Sequence, residues 1–433
     1  MTRRILHFAA AAAIATMVGG SGSTPPSSTG PHPEILPPST GIFPSLHFAT
    51  HENWPKGLTP KAPKGFTVTR YAAIDHPRWL YVLPNGDVLA AQSSTIRTPP
   101  TSMQDRIHYW LERHTNVIVE SPNRIALLRD TNHDGVVDKT STFLSGDLDR
   151  PFGMLLLNGK FYVADTGSVK VYPYRDGDLA IAAKGTKIAT LPVGGYNNHW
   201  TRNLFARADG KKIYVTVGSG SNAGEHGMDN EKLRANVLEM NPDGSGLRVY
   251  ASGIRNPNGL GYEPATGQLW TVSNERDFFG DNLVPDFLTR VRDGDFYGWP
   301  WAYWGHHTDE RVTPARPDLV AKAMTPDYAL GAHVAALGLA FYTADAFPAR
   351  YRGGAFITEH GSWNRAPYVG YKVVYVPFKN GMPSGLPQDF LTGFLPREGT
   401  AYGRPVGIVV APDGALLIAD DTGGAIWRVA AKK

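Results

Sequence analysis

The feature that most limits what this chain can fold into is a local unit that recurs six times: a turn with Asn-Gly, Asp-Gly or a similar glycine pair, then a period-two strand, then a small or acidic residue. The occurrences are "LPNGDVLAAQS" (83–93), "LLNGKFYVADT" (156–166), "RADGKKIYVTVG" (207–218), "EPATGQLWTVSNE" (263–275), "YRGGAFITEHG" (351–361) and "APDGALLIADD" (411–421). Each is opened by hairpin-type turn chemistry. Sheet units of this kind cannot each bury their own faces, and radial packing solves that problem. The expectation is an all-β fold, a six-bladed β-propeller with short helical insertions. One insertion is expected at "SMQDRIHYWLERH" (102–114), inside the first unit. The innermost strands then line a central channel, and polar residues from distant parts of the chain converge at its mouth.

Composition agrees with many short strands: Gly 47 and Pro 34 in 433 residues, with aromatics at 11%. The formal net charge is +4, and no basic tract of the kind that binds nucleic acid is present. Two arginines, Arg3 and Arg4, precede an apolar run from Phe8 to Val18 that gives way to Gly and Ser. This is a secretory signal pattern over 1–20, too short for a membrane span. Export to a periplasm or outside the cell follows, with the core alone holding a chain that has no cysteine. Residues 21–41 form a Pro/Ser/Gly-rich linker, expected to be extended or disordered. Residues 42–433 are then one propeller domain.

Chemistry concentrates at the ends of the strands. "GGYNNHWTRNLFA" (194–206) crowds Asn197, Asn198, His199, Trp200 and Arg202 in front of one strand. A histidine there can be a general base, a metal ligand or a bonded core residue. Arg255 and Asn256 precede Pro257 on an expected loop, a setting that suits an anionic or carbonyl-bearing ligand. Arg365 in "TEHGSWNR" and Arg404 in "YGRPVG" add positive charge to the same mouth, so an anionic cofactor or substrate is expected. Glu275, Arg276 and Asp277, with Asn274, Asp281 and Asn282, form either an oxygen-rich Ca²⁺ loop or a salt-bridged one. "DTNHDGVVD" (130–138) has much of a calcium loop but Ser141 where the bidentate glutamate belongs; it also reads well as an Asp-rich hairpin tip, the favoured reading.

Taken in order, "YNNHWTRNLFARADGKKIYVTVGS", "GIRNPNGLGYEP", "SNERDFFGDNLVPDFL", "EHGSWNRAPYVGYKVVYVPF" and "GRPVGIVVAPDG" resemble the sorbosone/glucose dehydrogenase family. These are soluble sugar dehydrogenases dependent on pyrroloquinoline quinone (PQQ), and the likeness is closest to the sorbosone branch. The resemblance implies a six-bladed propeller with PQQ over the channel mouth. It implies that a base at His199 takes the proton of the sugar's anomeric hydroxyl while hydride passes to the quinone carbon C5. Arg255 and Asn256 match the pair that polarises the quinone oxygens, and Arg404 matches an arginine that holds the cofactor's carboxylates. Ca²⁺ is implied at Glu275–Arg276–Asp277, partly through backbone carbonyls, although soluble glucose dehydrogenase has a Gly-Pro pair there. Arg150 stands where a glutamine is usual and either adds a further cation to the cofactor pocket or alters which sugar fits, and Arg365 substitutes for a lysine expected against PQQ. The implied partners are a small sugar and an external electron acceptor, a quinone or a cytochrome. Trp301, Tyr303 and Trp304 suit stacking on a sugar ring. Two other readings remain: a Ca²⁺-dependent lactonase on the same fold, and a non-catalytic propeller that binds a glycan or a protein.

Overall fold

Each of the six glycine-bearing turns joins the first and second strands of a four-stranded antiparallel sheet. In the computed structural model, which describes residues 28–39, 46–95 and 119–432, these sheets make six blades around a channel. The innermost strands are Pro77–Val82, Gly153–Leu157, Leu204–Ala206, Asn256–Tyr262, Ala336–Phe341 and Pro405–Val410, defining blades 1 to 6. The all-β propeller expected from the repeats is what the chain forms. Among the described residues, helix is limited to single turns at Pro317–Val320 and Ala349–Tyr351. The helix expected over 102–114 lies outside the described residues.

The ring closes through the termini. Blade 6 takes its outermost strand, Phe66–Ala73, from the N-terminal side, paired antiparallel with Ala425–Ala431, Val68 opposite Val429. Strands from the N-terminal and C-terminal sides of the chain are thereby locked into one sheet. The segment expected to be a free linker is docked where it is described: Gly30 exchanges backbone hydrogen bonds with Ala329, and Ser39 N donates to Phe279 O.

The period-two alternation has a different meaning from that of a half-exposed sheet. Second strands such as Val88–Gln92, Ile213–Val217, Ala355–Glu359 and Leu416–Asp420 are buried throughout, because each blade lies between two others and both faces are covered. Exposure is greatest at outermost strands such as Thr186–Thr190.

Glycines let the innermost strands crowd the axis. A Cβ on Gly153 would lie 2.6 Å from Leu204 N, and one on Gly259 2.6 Å from Leu339 N. Gly338 and Gly407 make the same close approach to Val406 O and Arg78 O. These contacts are backbone on backbone, so nothing can swing aside. Gly259→Ala is therefore expected to destabilise the fold by about 3 kcal/mol, as overpacking does, measured by urea denaturation; an unchanged midpoint would show that the blades can spread.

One buried acid gives the fold a pH dependence. Glu359, at the end of the second strand of blade 5, is 1% exposed and its Oε2 has no hydrogen-bond partner. Burial pushes its pKa up to about 8, with Lys372 partly offsetting. Between about pH 4.5 and 8 the unfolded chain releases a proton that the folded chain keeps, so this group's contribution to stability falls as pH rises, by about 1.4 kcal/mol per pH unit at most. Glu359→Gln removes that loss. The variant is expected to be more stable than the parent at pH 8 and to differ little at pH 4.5, as denaturant titrations at the two pH values will show.

Candidate active site at the channel mouth

The site is built from two sets of loops at one end of the blades, those preceding innermost strands and those following second strands. They enclose a cavity of about 250 Å³, near the lower edge of the range for small-molecule sites. His199, Arg255, Asn256, Arg404, Glu275 and Asp277 all line it. Residues as far apart in the chain as His199 and Arg404, 205 positions, are thus brought to one place.

Most of the crowded polar stretch is scaffolding for one side chain. Arg202 is fully buried and spends its guanidinium inside its own loop, donating to His199 O at 2.7 Å, Thr201 O at 2.9 Å and Pro192 O at 3.0 Å. Asn197 Oδ1 accepts from Arg234 at 2.5 Å, and Thr201 donates to Asn258. Held by this network, His199 meets the cavity with a defined tautomer. Ser219 Oγ donates to Ser221 O, and His199 Nδ1 lies 2.9 Å from Ser219 O, so Nδ1 carries the proton. Nε2 is left with a free lone pair. Burial, and then the charge of Arg255, push the imidazole pKa down to about 3, which keeps the ring neutral throughout the physiological range.

Ser219 also ties His199 to Arg255, because Ser219 N donates to Arg255 O at 2.7 Å. The Arg255 guanidinium, 2% exposed, donates to Asn222 O, Asn222 Oδ1, Glu275 O and Asp277 Oδ2 at 2.8–3.0 Å. Beside it, Asn256 donates to Asn274 Oδ1 at 2.8 Å. Asp277 is held below the usual carboxylate range, at about 2: Arg255 and His333 outweigh its burial.

Across the cavity, Arg404 donates to His360 O and Gly361 O at 2.9 and 2.7 Å. Among the described residues it makes no ion pair, so it is a cation of the lining without a carboxylate partner. Next to it, Asp421 pairs with Arg78 and accepts from His360 Nε2 at 3.1 Å. His360 is pushed down to about 4 by burial and by Arg404.

Three expected site residues lie elsewhere. Arg150 adopts a left-handed backbone (φ 54°) and pairs with Asp149 at 2.5 Å, away from the cavity lining. Arg365 is turned to Ala332 O, Pro367 O and Asn282 Oδ1, outside the lining. Arg276 is buried beneath the site, bonded to Glu275, Asp309, Pro300 O and Ala302 O. Its side chain is a structural cation. Of the aromatic trio, Tyr303 and Trp304 are core residues and Trp301 is covered by Arg316; the aromatic rings facing the cavity are Phe48, Trp200, Trp363 and Tyr371. In the 130–138 loop, Asp130 accepts from Asp134 N and Gly135 N, and Asp138 accepts from Thr131, which is a hairpin tip closed on itself. Among the described residues no group of three or more His, Cys, Asp or Glu side chains is placed to hold a metal ion.

Arg78, His360 and Asp421 join the site unannounced by the sequence reading. A signal for the latter two exists: in four of the six blades the residue just past the second strand faces the mouth. It occurs as Ser93, Glu275, His360 and Asp421 in the very repeats that identify the fold.

Fold and site together define a six-bladed propeller with a polar, arginine- and histidine-lined small-molecule cavity at its channel mouth. The chain belongs to the family described as "Domain of unknown function (DUF7133)", whose model matches residues 103–426. It is similar to an uncharacterised protein of Borreliella burgdorferi, 29% identical over 292 residues, 65% of this chain and 76% of that one. It is also similar to the aldose sugar dehydrogenase YliI of Escherichia coli, 28% identical over 178 residues, 38% of this chain and 46% of that protein. Among solved structures, the holo form of the pyranose dehydrogenase PQQ domain from Coprinopsis cinerea superposes with a TM-score of 0.69 at 19% identity, covering 88% of this chain and 100% of the domain. The resemblance to PQQ-dependent sugar dehydrogenases seen in the sequence is thus met by these comparisons, and none of them singles out the sorbosone branch.

Proposed function

We propose that this protein is a PQQ-dependent sugar dehydrogenase that oxidises an aldose or a related aldehyde sugar and passes the electrons to an external acceptor, a quinone or a cytochrome. The observation that carries the reading is the meeting of His199 and Arg255, from the entries to blades 3 and 4, in one cavity and through one residue, Ser219. The donor set suits PQQ, a flat tricarboxylate. Among the described residues the Arg404 guanidinium makes no ion pair, and Arg78, Arg255 and the aromatic residues Phe48, Trp200, Trp363 and Tyr371 line the same cavity. When bound, PQQ supplies the electrophilic carbonyl carbon that accepts hydride from the sugar. His199 Nε2 is the proton acceptor for the anomeric hydroxyl; its neutral state and fixed tautomer keep that lone pair available. Arg255, already gathered by three residues, places fixed positive charge where negative charge grows in the transition state, without reorganising. Arg404 anchors a cofactor carboxylate.

The leader pattern supports export, with residues 42–433 as the catalytic unit. Among the described residues no helix is long and apolar enough to cross a membrane. The test is to add PQQ to purified apoprotein, supply an aldose, and follow reduction of an artificial acceptor dye. PQQ-dependent turnover is expected; turnover absent with PQQ while Ca²⁺ alone supports lactone hydrolysis would transfer the assignment to a lactonase.

A further inference from the structure

We propose that this chain binds its cofactor without a divalent cation, the guanidinium of Arg255 filling the place beside residues 275–277 that a metal would take. The proposal rests on the PQQ reading above, and it departs from the Ca²⁺ implied by resemblance. A Ca²⁺ ion needs six to eight oxygen ligands with lone pairs to give. Here the backbone oxygens of Glu275 and Asp277 and both carboxylate oxygens of Asp277 already serve N–H donors. Glu275 O accepts from Arg255 Nη1 at 2.8 Å. Asp277 Oδ2 accepts from Arg255 Nη2 at 3.0 Å, and Oδ1 from Asn364 Nδ2 at 2.7 Å. Asp277 O accepts from Arg311 Nη1 at 3.0 Å and from Asn222 Nδ2 at 3.3 Å. The Glu275 carboxylate is bound to the buried Arg276 at 3.0 Å, and Asp286 accepts from Glu275 N at 2.8 Å and Ala335 N at 2.7 Å.

Three guanidinium groups therefore stand at one short loop, and they match its carboxylates, Arg255 with Asp277, Arg276 with Glu275 and Asp309, Arg311 with Asp309, so the negative charge a dication would need is already neutralised. Arg255 also does what a metal does mechanically. Its planar fork draws together a carbonyl and an amide oxygen of Asn222, the carbonyl of Glu275 and the carboxylate of Asp277, joining the loops of blades 3 and 4. Asp277 extends the link to Asn364 of blade 5, which makes it the positioning residue of Arg255.

The experiment is a pair of titrations on the full chain after chelator treatment: Ca²⁺ followed by calorimetry, and PQQ followed by tryptophan quenching, the latter with EGTA or with about 1 mM Ca²⁺, the weak end of protein calcium sites. Expected are no saturable Ca²⁺ uptake and a PQQ affinity equal within roughly threefold in the two media. Stoichiometric Ca²⁺ uptake, or PQQ binding at least about tenfold tighter with Ca²⁺, overturns the proposal. In Arg255→Ala the oxygens of Asn222, Glu275 and Asp277 face the vacated volume, and Ca²⁺ binding is expected to appear, at least about tenfold tighter than in the parent. No such gain in a variant with parental circular dichroism overturns the claim that the guanidinium stands in a cation's place. Failure of PQQ to bind in either medium defeats the functional reading, while the Ca²⁺ titrations of parent and variant still decide the question of the loop.

Discussion

His199→Ala is expected to lower kcat by about 10²- to 10⁴-fold, the usual worth of a positioned general base, while PQQ binding and the fold persist. The loss is large because His199 is the lining histidine that Ser219 ties to Arg255. His360, the other histidine whose pKa is pushed far down, is bonded through Nε2 to Asp421 and belongs to the Arg78–Asp421 side of the site. The structural cost is small by comparison: the variant leaves Ser219 O without its imidazole donor, worth about 1 kcal/mol. Steady-state turnover, PQQ affinity and the urea midpoint, measured on the same preparation, separate these effects. A variant that keeps its turnover would remove the proton acceptor from the account.

Gly218→Ala reaches the same site without touching a functional group. Gly218 follows the second strand of blade 3, and a Cβ there would lie 2.6 Å from His199 Cβ and still closer to Asn256 Oδ1. Neither neighbour yields freely. His199 is fixed by Ser219 and by the Arg202 clamp, and Asn256 is tied to Asn274. One methyl group must therefore push the imidazole, the amide or both by a fraction of an ångström to an ångström. Misplacement on that scale costs about 10²-fold in rate. The expected result is a kcat near 1% of the parent, within a few-fold, with the chemical groups all present. A variant of full activity would show that the position of His199 relative to Asn256 is not what the reaction depends on.

How much of this was legible in the chain differs between the fold and the site. The turns were legible because Asn-Gly and Asp-Gly mark a hairpin locally, and each proved to join the first two strands of a blade. His199, Arg255, Asn256 and Arg404 were legible because unusual polar residues bracket strands at those points. Arg150 and Arg365 misled for the converse reason. An arginine beside a strand end looks the same in sequence whether it turns inward or, like Arg365, bonds the carbonyls of its surroundings. The charge of the 275–277 loop was visible, but its partners were not. Arg255 and Arg311 reach it from 22 and 34 residues away, and only the assembled blades show that the Asp277 oxygens are already occupied. The glycines at the axis, Gly153, Gly259, Gly338 and Gly407, were equally hidden, since the backbone they accommodate belongs to the next blade.

The most direct test of the central claim is an anaerobic single-turnover experiment. The parent protein and His199→Ala are each loaded with one equivalent of PQQ, mixed with an aldose, and the quinone absorbance is followed. The account predicts that both retain PQQ and that the parent reduces it at least about 100-fold faster than the variant. Equal rates, or a parent protein that does not retain the quinone, would contradict it.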